Sequence, residues 1–423
     1  MERRNGLGSK SWLFAGVVVL ALRLVSGVYL ALISAGLPLL TCADFPCAPL
    51  EYESLTDGGF SRLFLAPWYR WDSVHYLDIA DSSYDVYGVE NTVWPPLYPL
   101  LIRIFALLMP EMAAALLIST LAAWAALAWL HQEVCARYGE RARWDNNLAD
   151  RTLIVLAVFP TAFFLVAGYS EALFLAFSIA VFRQIRLRRW LPAAVFAGLA
   201  TLTRLQGVLL ALPLAWEALC WLRERHAASE NPQGGIAGYL RLIRERSFWQ
   251  QLGRQQPVAA AMVPPLVLAL YFVYVHFGLG APWPWQTLAG HWGQHFGWPG
   301  EGVVNNLLFV IRNRFSLIHI SMIYDVLLLL LACWLLLRKM PGMPAIYRLY
   351  GLGIVLLPAL RVSDNWHTLT SISRYVLMAF PVFIALAWSL FEGSRIRRML
   401  WFGFSLASQL ILLFLFTRWV WVA

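Results

Sequence analysis

Seven consecutive residues, Arg70-Trp71-Asp72-Ser73-Val74-His75-Tyr76, hold a guanidinium, a carboxylate, an imidazole and a phenol. On a short helix starting near Asp72, His75 and Tyr76 fall at i+3 and i+4 and share its face. A carboxylate there can take a proton as a general base, with a neighbouring donor to orient it. Taken alone, Asp72 reads more simply as the N-cap of an interfacial amphipathic helix, because Asp is a favoured cap. Arg204, within Thr203-Arg204-Leu205-Gln206-Gly207, and Arg374 both stand at helix ends, where a lipid phosphate would lie. Guanidinium groups pair bidentately with phosphate oxygens and keep their charge in a low-dielectric site. Snorkelling to the headgroup region is the plainer alternative for each. Glu171 follows the turn Gly168-Tyr169-Ser170 and reads locally as the cap of a helix over 171–184, with contact to a substrate hydroxyl as the other reading. His291 and His295, four apart, suit a metal only if helical. Gly293 and Gly297 weaken that helix, and no metal site is expected.

The elements that must position these residues are membrane spans. The chain has 423 residues, of which 60% are hydrophobic and 13% charged, with a mean hydropathy of +0.61. A typical soluble chain is about 25% charged. The apolar runs are continuous rather than alternating, which favours helices over a β-barrel as the way to satisfy backbone groups in lipid. The net charge of +9 does not point to nucleic acid, because the basic clusters flank apolar segments as the positive-inside rule expects.

The first span covers roughly 11–39, behind Arg3, Arg4 and Lys10, and reads as a signal anchor. Arg23 lies inside it and is expected to face the bundle. Residues 41–93 follow, with nine Asp and Glu against Arg62 and Arg70, and read as the first extracytoplasmic loop. Cys42 and Cys47 share that loop and read as a local disulfide or as two free thiols. The apolar stretch 97–109 is too short for an ordinary span of ~20 residues and is expected to be re-entrant or interfacial. Arg183, Arg186, Arg188 and Arg189 mark a cytoplasmic turn, and 223–256 is the main cytoplasmic loop, with six Arg and three Glu. The sum is an all-α polytopic membrane protein of about eleven spans, within nine to thirteen, forming one integral membrane domain over 1–423. The outer side then collects Asp72, His75, Tyr98, Tyr169, Glu171, Arg204, His291, His295, Asp364, His367 and Arg374.

The order of motifs is more specific than any one of them. RWDSVHYLDIA (70–80), WPPLYPLLIR (94–103), GYSEALFL (168–175), TLTRLQG (201–207) and SRYVLMAFPVF (373–383) resemble the PIG-V family of polytopic mannosyltransferases, in its prokaryotic form. The resemblance runs from about residue 12 to 420. It departs at Leu205, where members commonly carry Pro after the Arg, and in WPPLYP, where a pair of Phe is more usual before PLYP. The resemblance implies a GT-C-type bundle and a glycosyltransferase that takes mannose from a polyprenyl-phosphate donor, with inversion, on the extracytoplasmic side of a bacterial plasma membrane. It implies Asp72 as catalytic base and Arg374 and Arg204 as ligands of the donor phosphate. Arg70, His75, Tyr98, Tyr169, Glu171 and His367 complete the expected substrate-binding set, and no metal or other cofactor is required. The acceptor would be a glycolipid, a glycan or a protein hydroxyl. A transporter or flippase of a polyprenyl-linked sugar is the rival reading, and predicts ionisable residues deep in the spans and pseudo-symmetric halves. A non-catalytic family scaffold is the third, which the intact RWD motif opposes.

Overall fold

Two of the long apolar runs break beside a proline, Pro160 and Pro381. A computed structural model of the chain describes residues 2–37, 55, 58–84, 89–139, 147–227, 256–364, 368–369 and 371–422. Cys42, Cys47, His367 and residues 228–255 of the expected cytoplasmic loop 223–256 lie outside the described residues. In chain order the helices are α1 (Glu2–Gly36), α2 (Gly59–Phe64), α3 (Asp72–Ser82), α4 (Leu97–Ala106), α5 (Glu111–Tyr138), α6 (Leu148–Ala157), α7 (Glu171–Arg186), α8 (Trp190–Thr203) and α9 (Ala211–Ala227). They continue as α10 (Gln256–Val273), α11 (Pro284–Gly290), α12 (Glu301–Arg312), α13 (Ile318–Leu337), α14 (Ala345–Ala359), α15 (Ile372–Met378), α16 (Phe380–Phe391) and α17 (Arg395–Thr417). Two short strands, β1 (Gln294–Phe296) and β2 (Arg361–Ser363), pair antiparallel with His295 opposite Val362.

Among the described residues five helical stretches are long and apolar enough to cross a membrane: Gly8–Gly36, Glu111–Tyr138, Gln256–Gly278, Ile318–Leu337 and Arg395–Thr417. The bent pair α15 and α16 makes a sixth if it is one span. Shorter apolar helices, including α4, α8 and α14, fill in the bundle. Several of the eleven expected spans are therefore not single long helices. The expected span 152–169 stops at Ala157, because Pro160 lacks an N–H and its ring clashes with the preceding turn; a 3-10 turn over Ala162–Leu165 follows. The expected span 375–391 breaks at Ala379, just before Pro381, and its two halves meet at 81°. That bend turns α15 away from the axis of α16 and makes it a short, buried helix that carries Arg374.

The bundle packs on small residues. Ala115, Ala122, Ala123 and Ala126 of α5 are all buried, and such residues let helices approach closely in lipid, where van der Waals packing replaces the hydrophobic effect as the driving force. α5 lies against α1, α6 and α7, and α8 covers another side of α7. Arg23 is turned inward as expected, donating to the Val166 carbonyl at 2.7 Å with its guanidinium 5.0 Å from the Trp68 ring centre. Glu171 stands at the first residue of α7 and Arg183 and Arg186 in its last turn, so one helix links the two chemically distinct ends of the bundle.

Candidate active site

The backbone before Asp72 is bent into an unusual conformation. Trp71 has φ +54° and ψ −123°, a strained setting for a bulky side chain that costs on the order of 1–3 kcal/mol. It is held by packing of its ring against Trp419 and Trp421 at the end of the chain, with centroids 5.6 and 4.8 Å away. α3 then starts at Asp72, with Trp71 rather than Asp72 as its N-cap residue. The capping reading of Asp72 is not what the fold contains. Its carboxylate makes no cap bond and instead accepts from Arg374, Nη1 to Oδ2 at 2.7 Å.

Arg374 is introduced in a similar way. Ser371, at φ +64°, is the N-cap of α15, and its hydroxyl accepts from Arg374 Nη2 at 2.8 Å. Glu171 is also no cap, since Ser170 holds that position and makes no side-chain cap bond. The Glu171 carboxylate instead lies between the two arginines, 2.8 Å from Arg204 Nη1 and 3.4 Å from Arg374 Nη1. Arg204 follows α8 in an extended conformation and also donates to Ser170 Oγ at 3.0 Å. The turn after it needs Gly207, because a Cβ there would fall 2.3 Å from the Thr201 nitrogen. Asp72, Glu171, Arg204 and Arg374 thus form one buried quartet of two acids and two guanidiniums.

The quartet balances to zero formal charge, which is what makes its burial tolerable: an unpaired charge there would be several kcal/mol more costly. Three of its atoms remain without a hydrogen-bond partner: Glu171 Oε2, Arg204 Nε and Arg374 Nε. Buried N–H groups without acceptors are uncommon in folded proteins, and an anionic ligand is the kind of group that can satisfy them. Burial pushes the Asp72 carboxyl up, but the charges of Arg374 and Arg204 and the Arg374 hydrogen bond outweigh it, and its pKa ends below the ordinary carboxylate value.

The remaining predicted residues fall into two groups. His75 belongs with the quartet: it lies one turn after Asp72, stacks on Trp94 with centroids 4.1 Å apart, and donates from Nδ1 to Asn91 Oδ1 at 2.8 Å. Trp292 closes edge-on against both rings. Burial pulls the His75 pKa down, which keeps it neutral with Nε2 as an acceptor. Tyr169 flanks Arg374, whose guanidinium lies 5.3 Å from its ring centre. Tyr98 is one layer further in. Its hydroxyl bonds Ser119 at 2.8 Å, and its ring meets Tyr76 edge-on; Tyr76 in turn bonds Ser170 at 2.6 Å. Arg70 has its Nε and Nη1 engaged within the protein. It is fully buried and donates to the carbonyls of Ala66, Tyr69 and Thr417, which makes it a tie between the loop and the end of α17. His291 and His295 are not on one helix, since α11 ends at Gly290 and His295 sits in β1.

Two residues were missed. Asp325 lies within α13, fully buried, and its Oδ1 accepts from the Ser373 backbone N–H at 2.8 Å, which fixes the start of α15 and so the place of Arg374. A lone acid inside the apolar run 316–337 was the signal for it. Arg361 of β2 donates to the Tyr375 hydroxyl at 3.1 Å, beside Arg204, whose guanidinium is 5.6 Å from the same ring.

The described residues thus combine helices long and apolar enough to cross a membrane with a buried carboxylate set against paired arginines, an arrangement suited to holding an anionic group. Residues 22–220 match the model of the family described as mannosyltransferase (PIG-V). A curated relative, GPI mannosyltransferase 2 of Schizosaccharomyces pombe, is 24% identical over 159 residues, a stretch that covers 36% of this chain and 32% of the relative. The chain thus spans about a third of that relative's length in the match. No solved structure matches. Over residues 22–220, a little under half of its length, the chain is thus similar to the PIG-V mannosyltransferases. Asp72, His75, Tyr98, Tyr169, Glu171 and Arg204 lie inside the matched stretch, and Arg374 lies beyond it.

Proposed function

We propose that this protein transfers a mannosyl unit from a polyprenyl-phosphate donor to an acceptor hydroxyl, with inversion, on the extracytoplasmic face of a bacterial plasma membrane. The observation that carries this reading is the buried Asp72–Arg374–Glu171–Arg204 quartet with its two unbonded Nε–H groups. In the reaction the acceptor O–H gives its proton to Asp72 while its oxygen forms the new bond to the sugar's anomeric carbon. The bond from that carbon to the phosphate oxygen breaks, and its electron pair leaves with the phosphate. Arg374 and Arg204 stabilise the charge that builds there, the step at which fixed donors count most.

The ion pair gives the site a built-in order. While Arg374 holds Asp72, the carboxylate is a weak base. A donor phosphate competes for the same guanidinium, and Asp72 then loses the partner that holds its pKa down. The base becomes competent when the donor is in place. His75, Trp94 and Trp292 offer aromatic faces one turn away, suited to the apolar side of a sugar ring. The acceptor is left here at the level of a hydroxyl on a glycolipid, glycan or protein.

The test is Asp72→Asn in purified protein supplied with polyprenyl-phosphate mannose and a hydroxyl acceptor. Transfer at the wild-type rate would remove Asp72 from the role of base. Asp325 and Arg23, ionisable residues within spans, are the observations that favour a transporter. The bond of Asp325 to Ser373 gives that acid a positioning task, and liposome uptake of the donor without sugar transfer would decide for transport instead.

A further inference from the structure

At the end of α7 remote from Glu171, about 20 Å away at 1.5 Å per residue, lies a second polar region that the transfer reaction does not use. A cleft of about 1830 Å³ opens there between α1, α5, α6 and α7. Its floor is fixed by His131, which bonds Ser11 Oγ at 2.9 Å through Nδ1 and Asp150 Oδ1 at 2.7 Å through Nε2. Arg186 is neutralised by Glu133, 2.8 and 3.0 Å from its two oxygens. Lys10, Arg137, Arg183 and Arg189 also line the cleft, and none of the four has a carboxylate partner among the described residues. Arg183 bonds only the neutral amide of Gln132, and Arg137 leans on the Tyr347 ring with its Nε unbonded.

Cations at this end of the helices follow from the positive-inside rule. Their convergence on one cleft does not, because like charges drawn together repel one another. The cleft also has an apolar wall. Leu13 and Val17 of α1, 72% and 57% exposed, continue from the cationic end along a surface that faces lipid. A charged end and a greasy wall in sequence match the shape of an amphiphile.

We infer that this cleft binds an anionic phospholipid, its headgroup phosphate on Lys10, Arg137, Arg183 and Arg189 and an acyl chain along Leu13 and Val17. A zwitterionic lipid brings its own ammonium, which the four cations oppose, and a free phosphate has no use for the apolar wall. The experiment offers delipidated full-length protein an equal mixture of phosphatidylglycerol and phosphatidylcholine in detergent and counts bound lipid by native mass spectrometry. The expected result is retention of phosphatidylglycerol in clear excess, with the preference falling about fivefold for each cation removed in Arg137→Gln, Arg183→Gln and Arg189→Gln combined. Arg395→Gln, Arg397→Gln and Arg398→Gln, at another basic helix end, should leave it unchanged. If the triple variant does not fold, the exposed pair Lys10→Gln and Arg189→Gln carries the same expectation. Equal retention of the two lipids by the wild type, or an unaltered preference in the folded variants, overturns the inference. So does displacement of the lipid by excess inorganic phosphate, which would assign the site to a soluble anion.

Discussion

Two clusters in this protein each set Asp and Glu carboxylates against a basic side chain, arginine in one and histidine in the other, and differ in almost every other physical respect. The quartet of Asp72, Glu171, Arg204 and Arg374 is buried, with its closest contacts at 2.7 and 2.8 Å. The cluster on β1 and its neighbours places His295 3.4 Å from Asp364 and 3.8 Å from Glu301, with the side chains of His295 and Asp364 44% and 74% exposed. Water screens the second set, and exposed pairs of this kind contribute at most about 1 kcal/mol. In the first set each charge depends on its partner, because water cannot replace it. Burial is what separates the two clusters physically.

The comparison breaks most sharply at Arg374. Arg374→Gln leaves Asp72 and part of the Glu171 charge unpaired in the interior, and should lower stability by about 3–5 kcal/mol, read as a large drop in the unfolding midpoint in detergent. An Arg374→Gln protein as stable as wild type would mean the quartet is wet, and that its difference from the β1 cluster is small.

Acid separates the two clusters next. His75 is held below its ordinary pKa by burial, so the folded state favours its neutral form, and the stability this represents is lost as pH falls through the unfolded value of about 6.5. Asp72 is held below its ordinary value, so its contribution persists above about 3.9 and fades only as pH falls through the lower, folded value. Between pH 7 and 5 the wild type should therefore lose stability through His75 while Asp72 stays charged. His75→Gln should flatten that slope, by at most about 1.4 kcal/mol per pH unit for one proton. An unchanged slope would show that His75 is hydrated.

Smaller effects sharpen the contrast. Tyr98→Phe removes the hydroxyl bonds to Ser119 and the Ala115 carbonyl and should cost about 1 kcal/mol, with donor affinity unchanged, since the hydroxyl bonds neighbouring helix groups and not a ligand. His295→Gln should alter stability by less than about 0.5 kcal/mol, as expected for an exposed pair. A larger loss there would erase the distinction between the two clusters.

How far the sequence reached can be followed residue by residue. Hydropathy located the apolar runs and the acidic segment that carries Asp72. It averaged over Pro160 and Pro381, so runs that read as single spans are broken helices, and the bend at Ala379 is what presents Arg374. Motif order singled out Asp72, Glu171, Arg204 and Arg374 as the residues to watch. It could not pair them, because Asp72 and Arg374 are 302 positions apart and no local spacing reports such a contact. Local rules accordingly made caps of Asp72 and Glu171, although both carboxylates are engaged by distant guanidiniums. Arg70 shows the converse: a conspicuous motif residue whose Nε and Nη1 lead to nearby and distant carbonyls. Asp325 was visible as a lone acid in an apolar run, and its meaning rests on Ser373, 48 positions away.

The most direct measurement is single-turnover mannosyl transfer by Asp72→Asn, with donor binding measured on the same protein. Removal of a general base should slow the chemical step by about 100- to 10,000-fold. Donor binding should hold or tighten, because Arg374 is released from its carboxylate. Transfer at the wild-type rate, or a loss confined to donor binding, would contradict the assignment of Asp72 as the base.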